Sequence, residues 1–137
     1  MIAEEGLEAI WHRHATLARS VWAAFDAWSV KGPLRLNVAD PAHRSHSVTG
    51  AEVGAPQGSA LRAWCEETAG LTLGIGLGMA PPNDPAWHGY IRLAHMGHVN
   101  AHMTLGMLAT IQAGLVALHI PHGAGALDAA AAVSAAG

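Results

Sequence analysis

Histidine is the residue type in this sequence with the widest chemical scope, at ten of 137 residues. Imidazole rings can ligate transition metals or act as general acids and bases. A zinc site needs His, Cys or carboxylate ligands that converge on one point, often with two of them one helical turn apart. His98 and His102 have that spacing, but Asn100 between them is a typical helix N-cap, so the two rings are not expected to share a helix face. We therefore expect no dedicated metal site.

Serine, cysteine and lysine side chains form no recognisable nucleophilic site. Ser45, Ser47 and Ser59 lie near histidines in the sequence, yet nothing resembles G-x-S-x-G and no acid is placed to orient a base. Cys65 falls on the apolar side of its predicted helix, which favours a core thiol over a nucleophile. The one lysine, Lys31, follows the first predicted helix in a Lys-Gly-Pro turn. These residues give no support to hydrolase chemistry.

A glycine-rich segment and a single arginine are the remaining candidates. Gly74, Gly76 and Gly78 form G-x-G-x-G, but residues 79–83, MAPPN, cannot open the helix that a dinucleotide-binding fingerprint requires. We interpret the segment as a loop whose backbone approaches another group closely. Arg92 ends a predicted apolar strand beside a glycine turn, where its guanidinium can present two parallel donors to a carboxylate. On spacing alone, a structural ion pair is the commoner role of such an arginine.

The composition excludes several classes of protein. Seven Lys and Arg against ten Asp and Glu give a net charge of −3, which does not suit a nucleic-acid-binding surface. Residues 93–127 contain no Asp, Glu, Lys or Arg, but Gln112 and Pro121 interrupt the stretch and no basic residue flanks it, so we expect a buried helix and no membrane span. The lone cysteine and the acidic N-terminus indicate a cytoplasmic protein.

Helices and short strands alternate irregularly along the chain. No clean β-α-β alternation occurs, which predicts an α+β fold with helices packed on one face of a small, mainly antiparallel sheet. Residues 1–122 are predicted to form one domain, and the Ala-rich residues 123–137 a tail that could form a helix. The predicted elements are an amphipathic helix at 4–28, strands at 34–38 and 47–53, a helix with Ser59 as N-cap and Gly70 at its end, strands at 71–75 and 90–95, and a helix capped by Asn100 with Met103, Met107, Leu108, Ile111, Leu115 and Leu118 on its apolar face.

Several segments occur in the order in which one enzyme family has them. The sequence resembles the C-terminal, small domain of the class V pyridoxal-phosphate-dependent aminotransferases, the alanine–glyoxylate and serine–pyruvate group of fold-type I enzymes. The segment RLAHMGHVN at 92–100 is similar to the family's R-I-G-H-M-G motif and is the most specific match. Weaker matches are EGLE at 5–8 with Trp11, Arg13 and His14 in the long first helix, RSHSVT at 44–49 in an R-S-x-T-V-T strand, and the glycine loop at 74–78.

The resemblance implies a role for Arg92 and a partner for the chain. In that family the arginine before H-M-G binds the α-carboxylate of the substrate, and by position this is Arg92. The family's cofactor, pyridoxal phosphate, and the lysine that binds it belong to a large N-terminal domain. Lys31 follows the long helix, whereas the family's lysine precedes it, so Lys31 is expected to be a loop lysine. The resemblance thus implies a large cofactor-binding domain as partner, from the same gene or a separate chain, in a homo-oligomer.

The chain alone is expected to bind no cofactor and to be inactive. The reaction implied for the parent enzyme transfers an amino group between a small amino acid and a 2-oxo acid. Two departures from the family pattern lie near the substrate loop, namely Ala94, where glycine is usual, and the proline-rich residues 79–85. An alternative function is a non-catalytic binding or oligomerisation module, in which the tryptophan-rich first helix and the uncharged stretch after Leu93 form an apolar surface left exposed by the missing large domain. Under that alternative, Trp22→Ser or Trp28→Ser is expected to weaken self-association.

Overall fold

The computed structural model describes residues 2–137, which form one antiparallel sheet and the helices packed on it. The sheet has four strands in the order β1-β2-β4-β3, and every neighbouring pair is antiparallel. This confirms the predicted α+β class. The elements are α1 (Ile2–Glu5), α2 (Leu7–Ser29), β1 (Arg35–Leu36), β2 (Val48–Glu52), α3 (Gln57–Ala69), β3 (Gly74–Ile75), β4 (Tyr90–Ala94), α4 (Ala101–Ala117) and α5 (Ala126–Ala136), with single 3₁₀ turns at Pro41–His43 and Pro85–Gly89.

The core lies between the sheet and the helices. Alternate residues of the central strands face it, and the residues between them lie on the opposite face of the sheet. Gln112, the polar residue in the middle of the uncharged stretch, accepts a hydrogen bond from the indole Nε1 of Trp28 at 3.3 Å. In residues 2–137, no helix is long and apolar enough to cross a membrane. The largest fully buried side chains include Phe25, Trp28, Leu61, Ile91, Leu93, Leu108, Ile111 and Leu115.

The first long helix is longer than the core that it covers. The predicted helix at 4–28 is confirmed, except that Gly6, at φ 86°, separates α1 from α2. The buried side chains of α2 begin at Ala15, whereas Leu7 is 48% and Trp11 61% exposed. The apolar period of the sequence therefore continues past the core, where Leu7 and Trp11 remain exposed.

The boundaries of α3 correct one prediction and confirm another. Ser59 is not the N-cap, because the Gly58 amide already donates to the Gly54 carbonyl at 3.0 Å and the helix begins at Gln57. Gly70 ends the helix as predicted, with φ 67° and its amide bonded to the last carbonyls. The outer strands are shorter than predicted, two residues each at Arg35–Leu36 and Gly74–Ile75.

Asn100 caps α4 as predicted. Its Oδ1 accepts a hydrogen bond from the Met103 amide at 3.0 Å. Leu108, Ile111 and Leu115 are buried on the predicted apolar face, but the placement of Met103 there was wrong, because it lies in the first turn and is 51% exposed.

The Ala-rich C-terminal segment packs against α2. Ala126 and Ala130 of α5 are buried, and small side chains permit close approach of the two helices. The hydroxyls of Ser20 and Ser134 lie 3.0 Å apart across this contact. The Gly123 amide donates to the Trp28 carbonyl at 2.9 Å, so the segment is joined to the end of α2 as well.

Two glycines of α4 offer a matched test of the helix packing. A Cβ at Gly114 would lie 2.6 Å from Leu61 Cδ1 and 2.9 Å from Trp64 Cε3, whereas one at Gly106 would meet nothing within 4 Å. We expect Gly114→Ala to lower the free energy of unfolding by about 1–2 kcal/mol through overpacking. Gly106→Ala should raise it by up to about 1 kcal/mol, because alanine favours the helix. Urea unfolding followed by circular dichroism measures both, and equal effects would contradict the α3–α4 contact.

Candidate carboxylate-binding site

Arg92 lies on the face of the sheet that points away from the core. In β4, Ile91 and Leu93 are buried among the helices, so the side chain of Arg92 projects from the opposite face. Its direct neighbours across the sheet are Gly50 of β2 and Gly74 of β3. Neither neighbour has a side chain, so Arg92 lies over Gly74, while the Met79 side chain lies over Gly50.

The glycine loop makes this position possible. A Cβ at Gly74 would lie 3.1 Å from Arg92 Cβ and 3.5 Å from its Nε, and a Cβ at Gly76 would collide with Tyr90. The Arg92 Nε donates to the Ile75 carbonyl at 2.6 Å, which turns the guanidinium toward β3. The prediction that the loop backbone approaches another group closely is therefore confirmed, and Arg92 and Tyr90 are those groups.

Within residues 2–137, the terminal nitrogens of Arg92 are not paired with a carboxylate. The ion pairs in the part of the chain that the structure describes are Arg13–Glu5, Arg35–Glu52 and His43–Asp40. Arg92 is absent from them, so the structural ion pair that spacing alone favours is not observed within residues 2–137. When a guanidinium is bonded through its Nε alone, its two terminal nitrogens are available to bind a ligand carboxylate.

Arg92 lines a groove of about 390 Å³, a volume in the range of small-molecule sites. The walls are mostly apolar, so a charge-assisted hydrogen bond there is stronger than in open water. A larger open cavity of about 770 Å³ lies between Leu77 and His88, but no arginine or lysine lines it. The groove is therefore the better candidate for anion binding. Its lining includes Val48, Thr72, Gly74, Arg92, Met96 and Met107.

A buried chain of hydrogen bonds follows Arg92 in β4. His95 is fully buried, with its Nδ1 3.0 Å from the His46 carbonyl oxygen and its Nε2 2.8 Å from the Thr49 hydroxyl. Trp22 Nε1 donates to the same hydroxyl at 3.0 Å. A carbonyl only accepts, so Nδ1 carries the proton, and the Thr49 hydroxyl donates to Nε2. Only a neutral imidazole satisfies this chain in full.

Burial favours that neutral form of His95. Desolvation is the largest cause of its lowered pKa, and the hydrogen bond to the His46 carbonyl opposes it in part. Nearby His14 and His46 lower the pKa further when they are charged. The interpretation of His95 as a packing residue agrees with this environment.

The turn after His95 is held by two residues of α2. Arg13 Nη1 donates to the carbonyls of Gly97 and Val99 at 2.8 and 2.9 Å, and Glu5 accepts from Arg13 Nε and Nη2 at 2.7 and 2.8 Å. That contact lowers the pKa of Glu5 and raises the pKa of Arg13. His14 Nε2 accepts from the Gly97 amide at 3.1 Å, and Gly97 has φ 77°. Nothing in the spacing of Arg13 and His14 links them to residue 97, so this contact could not be predicted from the sequence.

The other candidate residues lie apart from the groove. Lys31 occupies an exposed turn after α2, and Cys65 is buried, where desolvation raises its pKa to about 11, as expected of a core thiol. The Ser59 hydroxyl lies 2.8 Å from His88 Nδ1 but also accepts from Arg62 at 2.8 Å. Within residues 2–137, no three His, Cys, Asp or Glu side chains are grouped to hold a metal ion.

The chain is similar in sequence to part of two aminotransferases, although no protein-family profile matches it. It is 32% identical over 123 residues to an L-aspartate–glyoxylate aminotransferase of Paracoccus denitrificans, which covers 88% of this chain and 28% of the relative. It is 33% identical over 121 residues to a serine–glyoxylate aminotransferase of Arabidopsis thaliana, covering 82% of this chain and 26% of that relative. The chain therefore spans just over a quarter of the length of these relatives.

Solved structures of two further aminotransferases have a similar fold. The ureidoglycine–glyoxylate aminotransferase of Bacillus subtilis matches with a TM-score of 0.79 at 27% identity, over 96% of this chain and 32% of that one. The pyridoxamine–pyruvate aminotransferase of Mesorhizobium loti matches with a TM-score of 0.81 at 23% identity, over 98% and 32%. The second comparison supports the fold alone. Both matches cover about a third of the larger protein.

His95 should make stability fall in mild acid. The unfolded ring takes a proton near its usual pKa of 6.5, whereas the folded ring resists it. The unfolded chain therefore binds more protons, and the free energy of unfolding decreases as pH falls below about 6.5. We expect His95→Gln, whose amide can donate to the His46 carbonyl and accept from Thr49, to flatten this decrease. Urea unfolding at a series of pH values measures it, and an unchanged slope in the variant would contradict the assignment.

Proposed function

We propose that this chain, a relative of the class V aminotransferases, is the C-terminal domain of a pyridoxal-phosphate-dependent aminotransferase of the alanine–glyoxylate or serine–pyruvate type. The chain corresponds to less than a third of such an enzyme. In this proposal Arg92 binds the α-carboxylate of the substrate. The observation that carries the proposal is the Arg92 guanidinium, which lines a groove without a carboxylate partner in residues 2–137.

Arg92 suits this role by geometry and by charge. A carboxylate that meets the two outer nitrogens of a guanidinium forms parallel charge-assisted hydrogen bonds, each worth about 1.5–3 kcal/mol. That pair would fix the direction of the substrate as well as its position. The bond from Arg92 Nε to the Ile75 carbonyl holds the guanidinium in advance and reduces the entropy lost on binding.

The residues of this chain do not fit the cofactor by themselves. Pyridoxal phosphate acts as an electron sink in amino-group transfer and is held through a lysine. Lys31, the only lysine, lies in an exposed turn and does not line the Arg92 groove. The proposal therefore assigns cofactor binding to a separate large domain, encoded in the same gene or supplied as another chain.

The proposal extends to the partners and surroundings of the enzyme. The related proteins are named for glyoxylate or pyruvate as one reactant, which supports a small amino acid and a 2-oxo acid as substrates of the parent enzyme. A homo-oligomer in the cytoplasm is the assembly expected from the family resemblance. Binding of nucleic acid forms no part of this function, given the net charge of −3.

A second candidate is the non-catalytic assembly module, which the exposed start of α2 favours. The side chains that sequence reasoning assigned to its surface, Trp22 and Trp28, are buried, so that assignment was wrong. Ile2, Leu7 and Trp11 are exposed instead, at 64%, 48% and 61%. An apolar surface of this kind fits a covering protein chain, and a second copy of this chain is the candidate considered under this alternative.

Loss of Arg92 should abolish carboxylate binding. We expect pyruvate to shift the amide NMR signals around Arg92 with a millimolar dissociation constant, and Arg92→Gln to weaken this binding by at least about tenfold, because the charge-assisted pair is lost. Arg35→Gln is the matched control, since it removes an arginine of the same sheet that does not line the groove. Equal affinities of wild type and Arg92→Gln would contradict the proposal.

The isolated chain should not form a lysine-linked adduct with pyridoxal phosphate. Mixing the two is expected to produce no stable absorption band that depends on Lys31, because that lysine lies outside the groove. Difference absorbance spectra of wild type and Lys31→Ala test this. A stable band in the wild type that disappears in Lys31→Ala would place cofactor chemistry on this chain.

The assembly module makes a different prediction. If the exposed turns of α2 form a self-association surface, Trp11→Ser should shift the chain toward monomer while the monomer stays folded, because Trp11 is outside the core. Light scattering over a range of concentrations measures this. A wild-type chain that stays monomeric throughout the range would contradict the module.

A further inference from the structure

We propose that His95 is a positioning residue for the Arg92 site: its neutral ring fixes the end of β4 and the Met96 wall of the groove, so that mild acid weakens carboxylate binding. The inference deepens the proposed function and rests on it, because it concerns the affinity of the Arg92 groove. Charge alone predicts the opposite pH dependence, because protonated histidines near the groove would attract an anion and strengthen its binding in acid.

The position of Met96 is set by its two neighbours in the chain. Met96 lines the Arg92 groove and also a second, apolar cavity of about 360 Å³ on its other side. It is 46% exposed, so the core does not hold it. His95 on one side is fully buried and bonded at both ring nitrogens, and Gly97 on the other is bonded through its amide and its carbonyl.

Protonation of His95 would break the chain of hydrogen bonds at a defined atom. The charged ring donates from both nitrogens, so Nε2 can no longer accept from Thr49. Thr49 would then accept from both Trp22 and His95, and its own hydrogen would lose its acceptor in a buried place. The ring must shift to relieve this unpaired hydrogen, and the His95 backbone carries that shift to the end of β4 next to Met96.

The groups that face His95 do not compensate for a charge on it. His14 approaches from α2 and His46 from the segment before β2, and both oppose a charge on His95 when they are protonated. The Arg44 guanidinium carbon lies 5.4 Å from the ring centre of Trp22. Trp22 belongs to the same hydrogen-bonded chain as His95. The turn on the other side of Met96 is held from α2, because the Gly97 amide donates to His14 Nε2 and the Gly97 carbonyl accepts from Arg13.

The test is a pyruvate titration of the full chain at about pH 8 and about pH 4, a range in which pyruvate stays anionic and which extends well below the ordinary histidine pKa, because burial lowers the pKa of His95. We expect the wild-type affinity to be about tenfold lower at the acid pH. His95→Gln keeps a donor for His46 and an acceptor for Thr49 but cannot titrate, so its affinity should fall by no more than about threefold. His43→Gln, which changes an exposed histidine paired with Asp40, should behave as wild type. An affinity that rises in acid, or an equal fall in His95→Gln, would overturn the proposal.

A second measurement separates this inference from the proposed function. The Met96 methyl NMR signal, recorded without ligand, should shift between the two pH values in the wild type and stay in place in His95→Gln, while circular dichroism confirms that both remain folded. If pyruvate fails to bind at about pH 8, the proposed function fails, yet the methyl signal still decides whether His95 positions this wall. A methyl signal that shifts equally in both proteins would contradict the inference alone.

Discussion

The candidate site depends on the antiparallel register that places Arg92 between Gly50 and Gly74. Side chains alternate between the two faces of a strand, so a slip by one residue would turn Arg92 into the core and bring the Leu93 side chain to the face that Arg92 occupies. The buried residues on either side of Arg92 make such a slip costly, since each large apolar side chain loses about 1.5–3 kcal/mol on exposure. Burial of these neighbours therefore fixes the face of the sheet from which Arg92 projects, although Arg92 itself lies outside the core.

Polar contacts around the groove are few and each is well defined. Charged residues make up only 12% of the chain, and the arginines near the β4 end are held through backbone carbonyls as much as through carboxylates. A carbonyl partner orients a guanidinium without neutralising it. Arg92, held by one such bond, keeps its charge for a ligand, whereas Arg13, which has Glu5 as well, is occupied by the turn.

The helices and the outline of the sheet could be predicted from local signals. The apolar period of α2, the cap at Asn100 and the left-handed Gly70 depend on residues near in sequence, and the structure confirms all three. Burial was harder to predict, because the period of α2 continues past the core and leaves Trp11 exposed. The partners of Arg92 and His95 lie 17 to 49 residues away and follow from strand pairing, which no local pattern encodes.

The central claim is that Arg92 receives a carboxylate in the groove beside β3. A crystal structure of the chain grown with pyruvate tests it most directly. The account predicts both carboxylate oxygens at about 2.7–2.9 Å from the outer nitrogens of Arg92, with the Nε bond to Ile75 intact. Pyruvate bound elsewhere, or an Arg92 guanidinium turned away from the groove in its presence, would contradict it.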